Sequence, residues 1–529
     1  MELLHELWSP AGILAGAGTV GLIASSLPVT RRWVAWWCLL ALWPALWSIS
    51  DATDDLSRGA VTVSLVWAAL LVVLDWQNVR EPALNFDRSR SRNLPLQFVL
   101  LAGLCLMAQA GDVVTLFLGL QLISVGTRVL GSSGYSAEEP ANAVRSPLPW
   151  LLLHGFLLLV AVTGTTRIET ISEALRMSYV PQDAANYKIA GGGSRMLTLS
   201  AILIGSALAG YAVSVPFHFQ WWPMRLASQR TDGVGCETHP PLLWLPRAAV
   251  LIAWVKLWPA TIIATESTAQ LLVGVLAAIT SIVPLLQARV ERSLVRQWML
   301  VAVAQGGWLL LAVAVRAFES TVPAASTARF VVEWNLPAAA QAGWLLLLMD
   351  GVALIGLCGV LTYLSRRERP VEFVDDLRGL LRSEPIAAVC ASVCLLSLCG
   401  LPLLAGFWSR LFLALDAINV RGEWGPPHLL IPHNGLLLLT ALLALSTVWS
   451  GAIAMRSVGT MLFGVPLSPS RPTGPVSSLF AAVLASMILI GCGLLPGPLL
   501  SWLCSPRVEQ VAPPQPQRKP AADAQGGTR

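Results

Sequence analysis

The stretch Gly111-Asp-Val-Val-Thr-Leu-Phe-Leu-Gly-Leu-Gln-Leu-Ile-Ser124 is a mostly apolar segment that carries the amide side chain of Gln121 in its interior. About 20 apolar residues in a helix cross the ~30 Å hydrocarbon core of a bilayer. Windows of this kind recur from the N-terminus to about residue 500, and we count about fourteen of them. The sequence therefore predicts an all-α polytopic membrane protein.

Composition agrees with this fold class. Hydrophobic residues make up 55% of the 529 residues and charged residues 12%, and the mean hydropathy is +0.66, which is outside the range of soluble domains. The longest polar connections, about 166–196, 217–241 and 365–384, are too short to bury an independent core. The net charge of +5 does not indicate nucleic-acid binding. Arginine clusters at the ends of predicted spans set membrane topology, and this role explains them.

The spans divide the chain into five segments. These are three N-terminal transmembrane helices (1–93), a group of five helices (94–264), a second group of five (265–460), a last helix (461–504) and a disordered tail (505–529). Basic residues are concentrated in alternate connections, which predicts that both termini lie outside. The first span lacks the features of a cleaved signal peptide, so we expect it to be retained.

Two predicted helices contain residues that interrupt a helix. Pro216 ends one, and Gly400 and Pro402 lie within another. Because the two interruptions fall at comparable places in the two groups of five helices, we expect two inverted five-helix repeats, each with a broken helix. Such an arrangement indicates an ion pathway in membrane transporters. Ordinary packing kinks are the alternative.

The nine cysteines show no metal-ligand spacing. Cys390, Cys394 and Cys399 lie in an apolar helix without the CxxC pattern or histidine partners of a zinc site. We interpret them as small packing residues, and the sequence predicts no metal site.

Four stretches carry a resemblance to a known family. They are Ala110-Gly-Asp112 leading into Thr115–Gln121; Val215-Pro-Phe-His218; Val301-Ala-Val-Ala-Gln-Gly-Gly-Trp308; and Asp375-Asp-Leu-Arg-Gly379, followed by Leu396–Pro402 and Ala405–Arg410. In order and spacing they resemble the antiporter-like subunits of respiratory complex I, and most closely subunit N of bacterial NADH:quinone oxidoreductase. The resemblance covers residues from about 94 to 420.

This resemblance implies a place in the membrane arm of a complex I-like assembly in the bacterial inner (cytoplasmic) membrane. Other membrane-arm subunits and the lipid bilayer would be its partners. Quinone reduction elsewhere drives proton movement through such subunits, which perform no redox chemistry themselves. NADH, FMN, the iron–sulfur clusters and quinone are accordingly expected in partner subunits, and no cofactor or catalytic residue is expected in this chain.

The family's proton path uses a glutamate on the fifth helix, lysines on the seventh, eighth and twelfth helices and a histidine on the tenth. By position, this sequence differs at all five, with Gln121, Tyr211, Arg247, Gln305 and Arg410. Glutamine carries no charge, and arginine stays protonated in proteins, so it cannot alternate between charge states as lysine does. The resemblance therefore predicts an altered or lost proton path.

Two interpretations remain open. In the first, Arg247 and Arg410 set the electric field, polar side chains such as His218 order water together with Gln121, Tyr211 and Gln305, and other groups titrate. The candidates for titration are His154, Lys256 and Asp350. In the second, pumping is lost and the subunit is structural. Each candidate also has a simpler role: His154 as a packing residue, Lys256 reaching the membrane surface, and Asp350 pairing with an arginine.

A second functional class also fits the sequence. The chain could be a subunit of a cation/proton antiporter or of an ion-coupled uptake system with the same fold. Titratable carboxylates would be expected along the path of such a transporter, so Gln121 and Tyr211 count against this class as well. A non-conducting structural subunit is the third hypothesis.

Overall fold

The computed structural model describes residues 9–26, 33–47, 55–80, 90–132, 147–178, 193–215, 241–321, 339–364, 371, 373–419, 433–465 and 474–497. Almost all of these residues are helical, and no β-strand occurs among them. Pro216, His218 and the predicted tail 505–529 lie outside the described residues.

The first part of the chain contains these helices: α1 Pro10–Ser26, α2 Val34–Trp47, α3 Asp55–Arg80, α4 Arg90–Gln109, α5 Val113–Ser132, α6 Leu148–Thr163, α7 Ile168–Ser178 and α8 Gly193–Tyr211. The second part contains α9 Pro241–Val290, α10 Leu294–Ala304, α11 Gly306–Thr321, α12 Ala339–Leu364, α13 Leu380–Ser383, α14 Pro385–Leu398, α15 Ala405–Asn419, α16 His433–Phe463 and α17 Val476–Leu494.

Membrane-spanning character is shared by most of these helices. Seven stretches within them are long and apolar enough to cross a bilayer, and six shorter apolar helices accompany them. The prediction of a helical multi-span membrane protein is confirmed. The described residues do not establish the predicted number of about fourteen spans.

Helix α9 is one helical element of 50 residues, longer than a single bilayer crossing requires. Arg247 near its start and Ser281 near its end nevertheless contact neighbouring carbonyl groups, those of Ala302 and Ala304. In a straight helix, which rises 1.5 Å per residue, Arg247 and Ser281 would be about 50 Å apart. The element therefore reverses direction between them, and its two ends lie side by side.

Helical structure is interrupted at three places near the polar candidates. Helix α8 ends at Tyr211, and Val213 then adopts a positive φ of 58°. Between α14 and α15, Gly400 and Leu403 have positive φ values of 71° and 75°, so the chain leaves the helical path around Pro402. The third interruption is a single residue, Gln305, between α10 and α11. The stretch Leu294–Val315 that contains it is still long and apolar enough to form one membrane span.

The interior of the bundle is formed by the helices that carry the polar candidates. In the most apolar part of the spans Leu294–Val315 and Gln341–Leu364, 94% of the residues are buried, compared with 33% in the corresponding part of Gly435–Phe463. Helix α12 packs against α3, α14, α15 and α17. Asp350, near the middle of α12, is accordingly almost completely buried.

Candidate functional site at the helix breaks

Arg247 lies at the junction of two helix breaks. Its guanidinium group is completely buried and donates hydrogen bonds to the carbonyl oxygens of Ala212 (3.1 Å), Ala302 (2.9 Å) and Val303 (2.9 Å). These carbonyls are free to accept because the last carbonyls of α8 and α10 have no partner within their own helix. A cation is also favoured at a helix C-terminus. Arg247 thus joins two helix ends and stabilises both.

Two neighbours shape the pocket of this guanidinium group. The ring of Trp244, one helical turn earlier on α9, lies 4.5 Å from the central guanidinium carbon, a distance typical of a cation–π contact. A Cβ atom at Gly306 would come within 2.8 Å of Nη2 of Arg247. A larger residue at position 306 would therefore press against the guanidinium group of Arg247.

Gln305 lies close to the carbonyl groups that bind Arg247 and contacts a second arginine, Arg410. It is buried at the break itself, two residues beyond Val303. Its side-chain oxygen accepts hydrogen bonds from Nε (3.2 Å) and Nη2 (3.1 Å) of Arg410, and its Nε2 donates to the hydroxyl of Ser450 on α16 (3.4 Å). The amide therefore bridges α15 and α16 across the break.

Arg410 and Asp350 form a buried ion pair. Their relative exposures are 4% and 1%, and Nη2 of Arg410 lies 3.1 Å from Oδ1 of Asp350. Arg410 also donates to the carbonyl oxygens of Leu398 (2.6 Å) and Gly406 (2.5 Å), both adjacent to the break between α14 and α15. We call Gln305, Asp350, Arg410 and Ser450 the charged cluster.

Gln121 and Tyr211 form a second, uncharged contact, which we call the neutral pair. Nε2 of Gln121 is 3.1 Å from the Tyr211 hydroxyl, and that hydroxyl is 3.3 Å from Oε1 of the same glutamine. Tyr211 is completely buried at the last position of α8. The next residue, Ala212, supplies a carbonyl to Arg247.

The five positions that the family resemblance selects therefore belong to one continuous arrangement. From the neutral pair it passes through the Ala212 carbonyl to Arg247, then through the carbonyls of Ala302 and Val303 to Gln305 and the charged cluster. We call this arrangement the polar axis. It holds two guanidinium groups and one carboxylate in an apolar interior, where unpaired charges are costly.

Two of the other sequence candidates lie outside the polar axis. Nζ of Lys256 donates to the carbonyl of Ala110, directly after the end of α4, a position where a cation caps a helix C-terminus. His154 is exposed on α6, and its Nδ1 lies 2.7 Å from the carbonyl oxygen of Trp150 in the preceding turn. Asp350, in contrast, enters the axis as the partner of Arg410.

Sequence reasoning missed Ser450, Trp244 and Gly306. The pair Gly306-Gly307 directly after Gln305 was an available signal, because paired glycines are a known cause of helix breaks. Ser450 gave no signal, since it is one of several hydroxyl residues on the apolar helix α16. In the part of the chain that is described, no group of His, Cys, Asp and Glu residues could hold a metal ion.

A small apolar cavity, with room for about one water molecule, lies beside Trp244 between α3, α4, α9 and α12. Its lining includes Trp67, Trp244 and Gly351, the residue after Asp350. The indole N–H groups of Trp67 and Trp244 are buried and have no acceptor among the described residues. Buried donors of this kind are normally satisfied by protein or by water.

Comparison with other proteins finds similarity to membrane subunits of known complexes. Residues 334–425 match a family described as the transmembrane region of NADH:quinone oxidoreductase and Mrp antiporters. Over 383 residues the chain is 28% identical to NADH-quinone oxidoreductase subunit N of Desulfitobacterium hafniense, an alignment that covers 70% of this chain and 71% of the relative.

Solved structures share the fold. A chain of respiratory complex I from Thermus thermophilus, solved with bound aureothin, matches with a TM-score of 0.64 at 20% identity, covering 93% of this chain and 98% of the other. A chain of the Mrp complex from Dietzia sp. matches with a TM-score of 0.68 at 18% identity, covering 95% and 96%. At these identities the likeness shows the fold alone.

Proposed function

We propose that this chain, which resembles subunit N of bacterial NADH:quinone oxidoreductase, is a membrane-arm subunit of such an enzyme with an altered proton path. The observation that carries the proposal is the polar axis. The five positions at which the family places its proton-path residues lie next to one another at helix breaks in the interior of the bundle. A scaffold without an electrostatic role would be expected to fill these positions with apolar side chains, because buried polar groups are costly.

The proposed function also predicts which subunits bind the cofactors and in which membrane the assembly lies. NADH, FMN, iron–sulfur clusters and quinone would bind to partner subunits, and this chain would contribute no redox group. The assembly would lie in the bacterial cytoplasmic membrane with both termini of this chain outside, in agreement with the arginine distribution of the sequence.

The path is altered because the groups on the axis differ chemically from those of the family. Gln121 cannot ionise, and the two arginines hold their protons. Arg247 is fixed by three carbonyl oxygens. The unperturbed phenol of a tyrosine ionises only at a pH of about 10, so proton movement through the neutral pair would need a further titratable group.

A subunit of a cation/proton antiporter is the second candidate. It is favoured by the structural likeness to a chain of the Mrp complex and by the buried carboxylate of Asp350, the kind of group that an ion-coupled transporter needs. The non-conducting structural subunit gains support from the fixed geometry of Arg247.

The test is to purify the full-length, tagged chain from its source organism in gentle detergent and to identify the subunits that accompany it. Under our proposal, hydrophilic NADH-oxidising subunits co-purify and the preparation reduces quinone with NADH. Recovery with other membrane subunits, but without NADH oxidation, would overturn the proposal and favour the antiporter.

A further inference from the structure

We propose that Asp350 is the proton-exchanging group of the polar axis, and that it takes over the role which the family gives to the lysine at the position of Arg410. This inference rests on the proposed function. It goes beyond the family pattern, because helix α12, which carries Asp350, holds none of the five positions that the resemblance selects.

Asp350 is the only carboxylate that contacts the polar axis among the described residues. Its Oδ1 and Oδ2 lie 3.1 Å and 3.4 Å from Nη2 of Arg410. The remaining groups of the axis are amides, hydroxyls, carbonyls and guanidinium groups. A carboxylate can take up and release a proton in a buried site, whereas a guanidinium group keeps its proton. The exchange must therefore occur on the carboxylate.

The surroundings of Arg410 allow Asp350 to become neutral without leaving the guanidinium group unsatisfied. Arg410 also donates to the side chain of Gln305 and to the carbonyl oxygens of Leu398 and Gly406. These bonds persist when the carboxylate is protonated. The carbonyl of Leu398 ends helix α14 and carries partial negative charge, so it offsets part of the charge that remains on Arg410.

The ionisable groups that face Asp350 come from three elements. Arg410 on α15 is the nearest, and Arg247 on α9 acts on it at longer range. The thiol of Cys399, at the end of α14, faces the same cluster. Among the described residues, helices α3, α11 and α17, which also pack against α12, add no charged group to this list.

In the proposed step, the carboxylate of Asp350 takes up one proton through water from one side of the membrane, becomes a neutral carboxyl group and loses its ionic attraction to Arg410. Release of this proton through water to the opposite side restores the ion pair, so each cycle moves one proton across and leaves the chain unchanged. The cavity beside Gly351 is a space from which water could reach this part of α12, and its two indole N–H groups can donate to that water.

The first measurement is infrared difference spectroscopy on the purified full-length chain in lipid vesicles during a pH titration. The wild-type chain should show the carbonyl stretch of a protonated carboxyl group, and Asp350→Asn should lose it. The matched control is Asp375→Asn, which removes the carboxylate of an exposed Asp–Arg pair, Asp375 and Arg378 at 2.8 Å. The band should persist in this control. This readout does not depend on partner subunits.

The second measurement is the number of protons moved per NADH oxidised by the reconstituted complex. We expect Asp350→Asn to lower this ratio and Asp350→Glu, which keeps a carboxylate, to restore most of it. Because Asp350→Asn leaves Arg410 without a counter-ion, the double variant Asp350→Asn/Arg410→Gln serves as a neutral version if the single variant fails to assemble.

The outcomes separate the two proposals. A complex that assembles with Asp350→Asn and keeps the wild-type proton ratio, together with an unchanged infrared band, would overturn the role of Asp350 and make it a fixed counter-ion. Absence of NADH-oxidising partners would overturn the proposed function, while the infrared result on the chain alone would still decide whether Asp350 exchanges protons.

Discussion

At the end of helix α8, Gln121 and Tyr211 share hydrogen bonds between uncharged groups, whereas beyond the break at Gln305 the side chains of Asp350 and Arg410 form an ion pair. Both contacts lie at interrupted helices and both are connected to Arg247. They differ in what each can do, because the neutral pair has no charge to exchange and the charged cluster contains a carboxylate.

The two regions satisfy their buried polar groups in different ways. In the first, Gln121 and Tyr211 each satisfy a hydrogen-bonding group of the other. In the second, the permanent charge of Arg410 is accompanied by the carboxylate of Asp350. A buried charge demands a partner, and the ion pair provides it.

The largest effect is expected when the ion pair is broken from one side. Arg410→Met leaves the carboxylate of Asp350 buried without a partner, and we expect a loss of about 3–5 kcal/mol in the free energy of unfolding. The double variant Arg410→Met/Asp350→Leu removes both charges and should recover most of that loss. Unfolding of the purified variants in mixed micelles gives both values.

The exposed pair Asp375–Arg378 provides the control for this comparison. Arg378→Met should cost less than about 1 kcal/mol, because solvent-exposed ion pairs contribute little. Equal losses for Arg410→Met and Arg378→Met would contradict the assignment of the ion pair to the interior.

Arg247→Lys should have the second largest effect. An ammonium group on the shorter side chain cannot reach the carbonyls of Ala212, Ala302 and Val303 together, so at least one helix end loses its donor. Each buried acceptor left unsatisfied costs about 1–3 kcal/mol. Arg289→Lys, on the exposed surface of the same helix, is the matched control, and both are measured by the same unfolding assay.

If Arg247→Lys were as stable as Arg289→Lys, the two halves of the axis would not depend on Arg247 for their connection. The neutral pair and the charged cluster would then be independent sites rather than two ends of one arrangement.

Sequence alone was enough for those features that depend on composition and on strongly helix-breaking residues. The membrane fold follows from the apolar windows, and the interruption near Gly400 and Pro402 follows from backbone chemistry. The interruption at Gln305 is harder to predict, because its mark is the glycine pair that follows rather than a proline, and the surrounding residues are apolar enough for one continuous span.

The partners within the site could be predicted only in part. Pairing of Asp350 with an arginine was one of two roles considered from the sequence, but the choice of Arg410 over Arg247 depends on how α12 and α15 face each other. For His154, the helix α6 is apolar on all sides, so no pattern shows which side faces the interior. The carbonyl contacts of Arg247 could not be predicted. Every residue has a backbone carbonyl, and the sequence does not show which of them face the arginine.

Tyr211→Phe tests the neutral pair and should have a smaller effect. It removes the hydroxyl that connects Tyr211 to Gln121 and keeps the ring, so we expect a loss of about 1 kcal/mol in the free energy of unfolding. A double-mutant cycle with Gln121→Met isolates the coupling between the two side chains. A coupling as large as that of Asp350 with Arg410 would remove the distinction between the two halves.

The smallest effect is expected for Gln121→Glu when proton movement is measured. The variant restores the family's glutamate, but its partner would be Tyr211 rather than a lysine, and Arg247 still separates this position from the charged cluster. We therefore expect the number of protons moved per NADH to stay at the wild-type value. Gln121→Glu/Tyr211→Lys, which rebuilds the pair of opposite charges, is the informative companion. A large gain in protons moved from Gln121→Glu alone would mean that a single carboxylate restores proton movement through the first half. The missing charge at position 121, rather than the fixed geometry of Arg247, would then be what interrupts the path.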